Sequence, residues 1–154
     1  MPIATDSRTY LVAAHRGRPT VWWLGGRVAV KSTGDDNEGR FSQIEFADRR
    51  GTAPPVHIHH QEDETFYVVE GEISVFVGDE RLEASAGDFV IAPRGVPHSY
   101  LVRSERSRVL CTFSPAGLEQ FFVEMGIPVV DGEPEPAPVV PDPVSYTHLR
   151  AHET

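Results

Sequence analysis

The chain has little that would tie it to a polyanion or staple it covalently. Lys31 is its one lysine, beside thirteen arginines, and 23 acidic residues outweigh the 14 basic ones for a net charge of −9. With no polybasic run, a nucleic-acid backbone or an anionic membrane is a poor partner. The single cysteine, Cys111, cannot close an internal disulfide, which suits a reducing compartment. It is expected as a buried strand residue, not a nucleophile. No apolar run approaches bilayer-spanning length, and the start MPIATDSRTY lacks the basic and apolar regions of a secretory signal. The expectation is an acidic, soluble, cytoplasmic protein.

What remains is written mostly in strands. TVWWLG, RVAVKS, RFSQIEF, ETFYVVEG, EISVFVG, ERLEAS, DFVIAP, HSYLVR and RVLCTF are short and rich in β-branched and aromatic residues. Turn residues separate most of them. Gly78-Asp79 reads as the bend of a hairpin, and Pro93 to Pro97 as a longer turn. Nine short strands with little helix between them predict an all-β antiparallel sandwich or barrel. One helix is expected near the C-terminal side, with Ser114 as N-cap and Pro115 as first residue. Leu118, Phe121, Phe122 and Met125 would form its apolar stripe, packed on the sheet as core. The polar stretch Ser32 to Phe41 reads as an exposed connection.

Residues 1–127 are expected as one domain, and the Pro-rich, acidic stretch 128–143 as an extended tail or linker. The last eleven residues, VSYTHLRAHET (144–154), match codon by codon the translation of a sequencing-library transposon adapter. They are set aside from fold and function, with the expectation that the natural gene continues past Pro143.

The stretch GTAPPVHIHHQEDETFYVVEG (51–71) concentrates three histidines and four acidic residues. If VHIHH is extended as a strand, His57 and His59 project from one face and His60 from the other. His60 is therefore expected as an exposed bystander. A strand beginning at Glu64 and running back would bring its carboxylate near both rings. His98, opening HSYLV, stands where a neighbouring strand could supply a further ligand. Three imidazoles and a carboxylate suit Fe, Mn, Co, Ni, Cu or Zn, and leave coordination positions open for chemistry.

The spacing also resembles a known family. Gly51, His57, His59, Glu64 and Gly71 match the first cupin motif, G-x5-H-x-H-x4-E-x6-G. Gly87, Pro93, Gly95 and His98 match most of the second, G-x5-P-x-G-x2-H, after fifteen intervening residues. The likeness is strongest over residues 40–114. It implies a small jelly-roll barrel with one short C-terminal helix and one divalent transition metal ion on His57, His59, Glu64 and His98. One departure stands out: Val102 occupies the place where the second motif usually ends in asparagine. With His98 and Tyr100 on the same strand face, Val102 makes the interior near the ligands more apolar.

Phe66, Val68, Tyr100 and Val102 are expected beside the ligands as a substrate pocket, with Trp22, Trp23, Phe41, Phe76 and Phe89 as further aromatic surface. FYVVEGEISVFVGDE, GDFVIAPRGVPHSY and SPAGLEQFF look like single-domain bacterial cupins similar to quercetin 2,3-dioxygenase. That resemblance implies a dioxygenase taking a flavonol-like small molecule and dioxygen, with Glu64 as both ligand and base. The alternatives are a non-catalytic small-molecule-binding or sensor cupin, and an oxygen-independent metal-assisted isomerase. Pairing of two copies into a homodimer through sheet edges also fits the family.

Overall fold

The computed structural model describes residues 9–137. Its strands are β1 (Thr20–Trp23), β2 (Gly26–Ser32), β3 (Ser42–Arg49), β4 (Asp63–Glu70), β5 (Glu72–Val77) and β6 (Glu80–Ser85). They continue with β7 (Phe89–Ala92), β8 (His98–Val102), β9 (Arg106–Ser114) and, after helix α1 (Glu119–Met125), the short β10 (Ile127–Pro128). Seven strands form one antiparallel sheet in the order β10-β1-β2-β3-β9-β4-β7, and three form a second, β6-β5-β8. This is the expected all-β jelly-roll with a single short helix. All nine anticipated strands are present.

Alternation decides which side chains go inside. Along β9, Ser107, Val109, Cys111 and Phe113 are buried while the residues between them are not. On β4 the inward set is Glu64, Phe66 and Val68, with Tyr67 facing solvent. Period-2 patterning of this kind is what lets one face of each sheet enter a shared core. Ile44, Phe46, Ile73, Val75, Val90 and Tyr100 join it from the other strands. Cys111 is buried there.

Turns follow the anticipated chemistry. β5 and β6 meet across Gly78-Asp79, with Val77 opposite Glu80, a two-residue hairpin. Gly71, between β4 and β5, has φ 89°, and a side chain there would overlap the carbonyl oxygen of Arg106. Both conditions require glycine.

The helix starts later than expected. Ser114 is the last residue of β9, paired with Asp63, and its hydroxyl donates to Arg40 O at 3.0 Å. Leu118 stands at the N-cap without a side-chain cap bond. Long-range sheet pairing captured the serine that local propensity favoured as a cap. Leu118, Phe121 and Phe122 are buried as anticipated, but Met125, the last residue of the helix, is 38% exposed.

The stretch Ser32 to Phe41 does more than connect. It holds a short 3-10 turn, Gly34–Asp36, and the Gly34 amide donates to the buried Glu119 carboxylate of α1 at 3.0 Å. Past Pro128, the described part of the proline-rich segment lies against the outer face of the large sheet. Arg16 reaches Asp131 and Arg106 reaches Glu135, each at 3.1 Å, and Arg49 donates to Pro136 O at 2.7 Å. The adapter-like residues 144–154 lie outside the described residues.

Candidate metal centre

The four motif side chains meet. One donor atom from each of His57, His59, Glu64 and His98 lies within 4.8 Å of all the others. They come from two strands and a loop. Glu64 is the second residue of β4 and His98 the first of β8. His57 and His59 sit on a segment that is extended but not a strand; its one ladder contact is an isolated bridge between His57 and His98. There the two backbones exchange hydrogen bonds, His57 N to His98 O at 3.0 Å and His98 N to His57 O at 2.9 Å.

A second tie explains why His59 converges without a strand around it. The Gly95 amide, at the tip of the Pro93–Pro97 turn, donates to His59 O at 2.7 Å. Gly95 has φ 78°, a left-handed conformation that glycine adopts at little cost. The Arg94 amide donates to Asp63 Oδ1 at 2.9 Å, docking the same turn on β4. The glycine-proline turn thus clamps both ligand-bearing segments. His60 is exposed, as expected.

Orientation comes from backbone carbonyls. His57 Nδ1 lies 2.6 Å from Pro55 O, and His98 Nδ1 lies 3.0 Å from Val96 O. A carbonyl can only accept, so each Nδ1 carries the proton and each Nε2 keeps its lone pair toward the cluster. His98 Nε2 then stands 2.8 Å from Glu64 Oε2, and His59 Nε2 3.1 Å from the same oxygen. Lone pairs this close to a carboxylate need a shared proton or a cation. The buried Nδ1 of His59 has no hydrogen-bond partner among the described residues.

Electrostatics agree with a cation site. Burial lowers the His57 imidazole to about 4, so the ring is neutral at physiological pH, the form that ligates a metal. Burial pushes the Glu64 carboxyl up, but its close contacts with the His59 and His98 rings outweigh that and hold it at about 2. Three imidazoles and an ionised carboxylate in a dry interior form a cluster that could hold one divalent metal ion, and the donor set fits such an ion.

Beside the ligands lies a cavity of about 30 Å³ whose walls include Trp23, Phe46, Tyr100, Phe113, Phe121 and Phe122. Leu118, Pro54 and Pro55 complete its apolar lining. Of the pocket residues anticipated from sequence, Tyr100 is on this wall, whereas Phe66, Val68 and Val102 are buried in the core and do not line it. Trp23 is on the wall too. Trp22 instead faces Arg27, whose guanidinium lies 5.1 Å from its ring centroid. Phe41 and Phe89 are exposed, and Phe76 lies under Arg81. The helix stripe, expected as core alone, serves as core and wall together. Trp23, Phe121 and Phe122 meet edge to face at centroid distances of 5.1 to 6.0 Å.

Sequence reasoning missed one polar residue here. Asp48 of β3 is buried, and its Oδ2 accepts from the Tyr100 hydroxyl at 2.9 Å. Burial raises its carboxyl to about 6, against that hydrogen bond. The only sequence signal was an acidic residue at an inward position of a strand.

A stability effect follows from that shift. The folded chain holds the Asp48 proton up to about pH 6, while an unfolded aspartate releases it near 3.9. The folded state thus binds more protons between these values, and this group's contribution to stability falls as pH rises through the window. The shift is worth about 3 kcal/mol once both states are ionised. Asp48→Asn removes the charge and keeps an acceptor for Tyr100. It is expected to raise the melting temperature at pH 7.5 and to have little effect at pH 4. An equal change at both pH values would contradict a buried, ionised Asp48.

Comparison with known proteins agrees with this geometry. A family model, the cupin domain, matches residues 46–113. The quercetin 2,3-dioxygenase of Bacillus subtilis (strain 168) is 28% identical over 132 residues, covering 85% of this chain and 39% of that protein. An uncharacterized protein of Streptomyces coelicolor is 41% identical over 56 residues, 36% of this chain and 53% of its own length. The chain therefore spans about half or less of these curated relatives. Among solved structures, an RmlC-like cupin from Shewanella frigidimarina superposes with a TM-score of 0.63 at 21% identity, covering 73% of this chain and 96% of that one. Residues 46–113 thus carry a cupin domain, and the four motif side chains converge within it as a candidate metal site.

Proposed function

We propose that the protein is a metal-dependent dioxygenase acting on a small aromatic or flavonol-like molecule. The observation that carries this reading is the juxtaposition of His57, His59, Glu64 and His98 with a wall of aromatic rings. The 28% likeness to a protein named quercetin 2,3-dioxygenase supports it. A redox-active divalent ion held by these four residues would supply activation of substrate and dioxygen.

The chain's own groups account for the rest. His57 and His98, pinned through their Nδ1 protons to backbone carbonyls, would hold the ion in place. Phe113, Phe121, Phe122 and Trp23 would exclude water and orient a flat ring. Glu64 would take a proton from a substrate hydroxyl. Two imidazole contacts keep its carboxylate weakly basic; swung out of them it would feel burial alone, which raises its proton affinity.

A second reading has its own observation. A cavity of about 30 Å³ admits an ion and a water or two, whereas pockets for drug-sized ligands run to about 300 Å³ or more. A flavonol therefore requires the α1 wall to move. A rigid wall would favour a much smaller ligand, bound without turnover or rearranged without oxygen. Oxygen-electrode assays of the metal-loaded protein with a flavonol panel decide between them. Oxygen uptake with a ring-cleaved product is the expected result. Stoichiometric binding without uptake would establish a binding module, and turnover under strict anaerobiosis an isomerase.

A further inference from the structure

A second and larger cavity, of about 350 Å³, lies on the outer face of the large sheet. Strand alternation separates it from the metal site. Trp23 and Phe46 line the metal cavity, and their chain neighbours Trp22 and Ala47 line the outer one. No residue lines both. Asp48 of β3 connects the two: it borders the outer cavity, and its Oδ2 accepts from Tyr100 of the inner wall at 2.9 Å. Its carboxylate has room because residue 26 is glycine, where a Cβ would overlap Oδ1.

The floor of the outer cavity is one register row. Trp22, Arg27, Ala47, Arg108 and Glu70 stand opposite one another in turn across β1, β2, β3, β9 and β4. Ala47 is the small residue in the middle, so two arginines about 10 Å apart at the backbone border an open gap. The walls come from outside the sheets, with His15 before β1 and Glu133 and Glu135 after β10. Ion pairs of Arg16 with Asp131 and Arg106 with Glu135 tie the second wall down.

Most charges around this space are paired. Arg106 holds Glu135. Arg108 donates twice to Glu45 at 3.2 Å and lies 4.0 Å from Glu70. Two charges are not paired. Arg27 is half-buried against the face of Trp22, and among the described residues no carboxylate reaches its guanidinium. Glu133 likewise has no ion pair or side-chain hydrogen bond among them. A half-buried charge without a partner is costly, and a guanidinium matches a carboxylate with two parallel N–H donors. A simple anion would leave Glu133 unanswered, and a simple cation would leave Arg27 so.

We propose that the outer cavity binds a free amino acid, its carboxylate on Arg27 and its ammonium on Glu133, over the gap at Ala47. The site is separate from the metal centre and independent of the reaction proposed there.

The test uses the full chain loaded with metal. Free amino acids, including β-alanine and 4-aminobutyrate, are screened one by one for a rise in melting temperature. At least one should raise it, and titration calorimetry should give one site per chain. Analogues of that amino acid lacking either the ammonium or the carboxylate should bind at least about tenfold more weakly. Arg27→Gln and Glu133→Gln should each weaken the amino acid by a similar factor. Ala47→Leu should abolish binding while the metal content stays at the parent's level; if it does not fold, the other two variants carry the test. His98→Ala, directed at the inner site, should leave binding intact. No rise with any amino acid, a deaminated analogue that binds as tightly as its parent compound, or binding that survives Ala47→Leu overturns the proposal. Binding kept in Ala47→Leu but lost in His98→Ala would identify chelation of the ion in its place.

Discussion

His98→Ala is expected to leave the purified protein with less than about a tenth of the parent's bound metal. Loss of a group that merely orients a ligand typically costs 10–100-fold in metal affinity, and loss of the ligand itself should cost at least about that. His98 offers no substitute, because the residue opposite it in the β8–β5 ladder is Val77. Its ring is fully enclosed, 1% exposed, so water would have to fill a void between His57, Glu64 and Phe66. His57→Ala should behave alike, since alanine keeps the backbone pair with His98 but removes the imidazole nitrogen from the cluster. Elemental analysis of both variants, with circular dichroism to confirm the fold, is the measurement. Unchanged metal in both would refute the site.

Glu64→Gln should separate holding the ion from using it. Glutamine has the same shape and a carbonyl oxygen that can still face the cluster, so a substantial part of the metal should remain. It cannot accept a proton at neutral pH. General-base catalysis contributes about 10²–10⁴ in rate, and turnover should fall by that factor in steady-state assays at matched metal content. Because the fold holds the Glu64 carboxyl at about 2, its ionised form stabilises the folded chain at neutral pH, and the substitution should lower the melting temperature at pH 7. Full turnover would remove Glu64 as the base. Total loss of metal would instead show that its charge is indispensable to the ion, and would leave its role as base to be read from the pH profile of the parent protein.

Much of this site was legible because its logic is one of spacing. An H-x-H pair on extended backbone, a glutamate that opens the next strand and a histidine behind a glycine-proline turn are local patterns. Each constrains where one side chain points. The gap between the motifs was readable for the same reason, as a hairpin of two short strands and a two-residue bend. The helix start was misplaced because Ser114 satisfies two local rules at once, cap and strand end. Its partners Asp63 and Arg40 lie 51 and 74 residues away, beyond any local pattern.

The cavity wall shows the same boundary from the other side. Phe66, Val68 and Val102 share a strand face with ligands, yet they are enclosed in the core. Pro54, Phe46, Phe113 and Phe122, from one loop and three different elements, line the space instead. Strand alternation states inside or outside but not how deep along the barrel a side chain lies. Depth depends on how the two sheets stack and on where α1 closes them. Asp48 was invisible for a related reason: its meaning lies in a hydrogen bond to the opposite sheet and in the missing side chain of Gly26.

The order of residues along the chain was therefore enough to determine the strands, the class of fold and the four side chains that converge as a candidate metal site, since periodicity and motif spacing act over a few residues. Tertiary structure alone decided the shape and chemistry of the space beside those ligands. Its walls are assembled from segments distant in sequence, and only packing determines which of them meet.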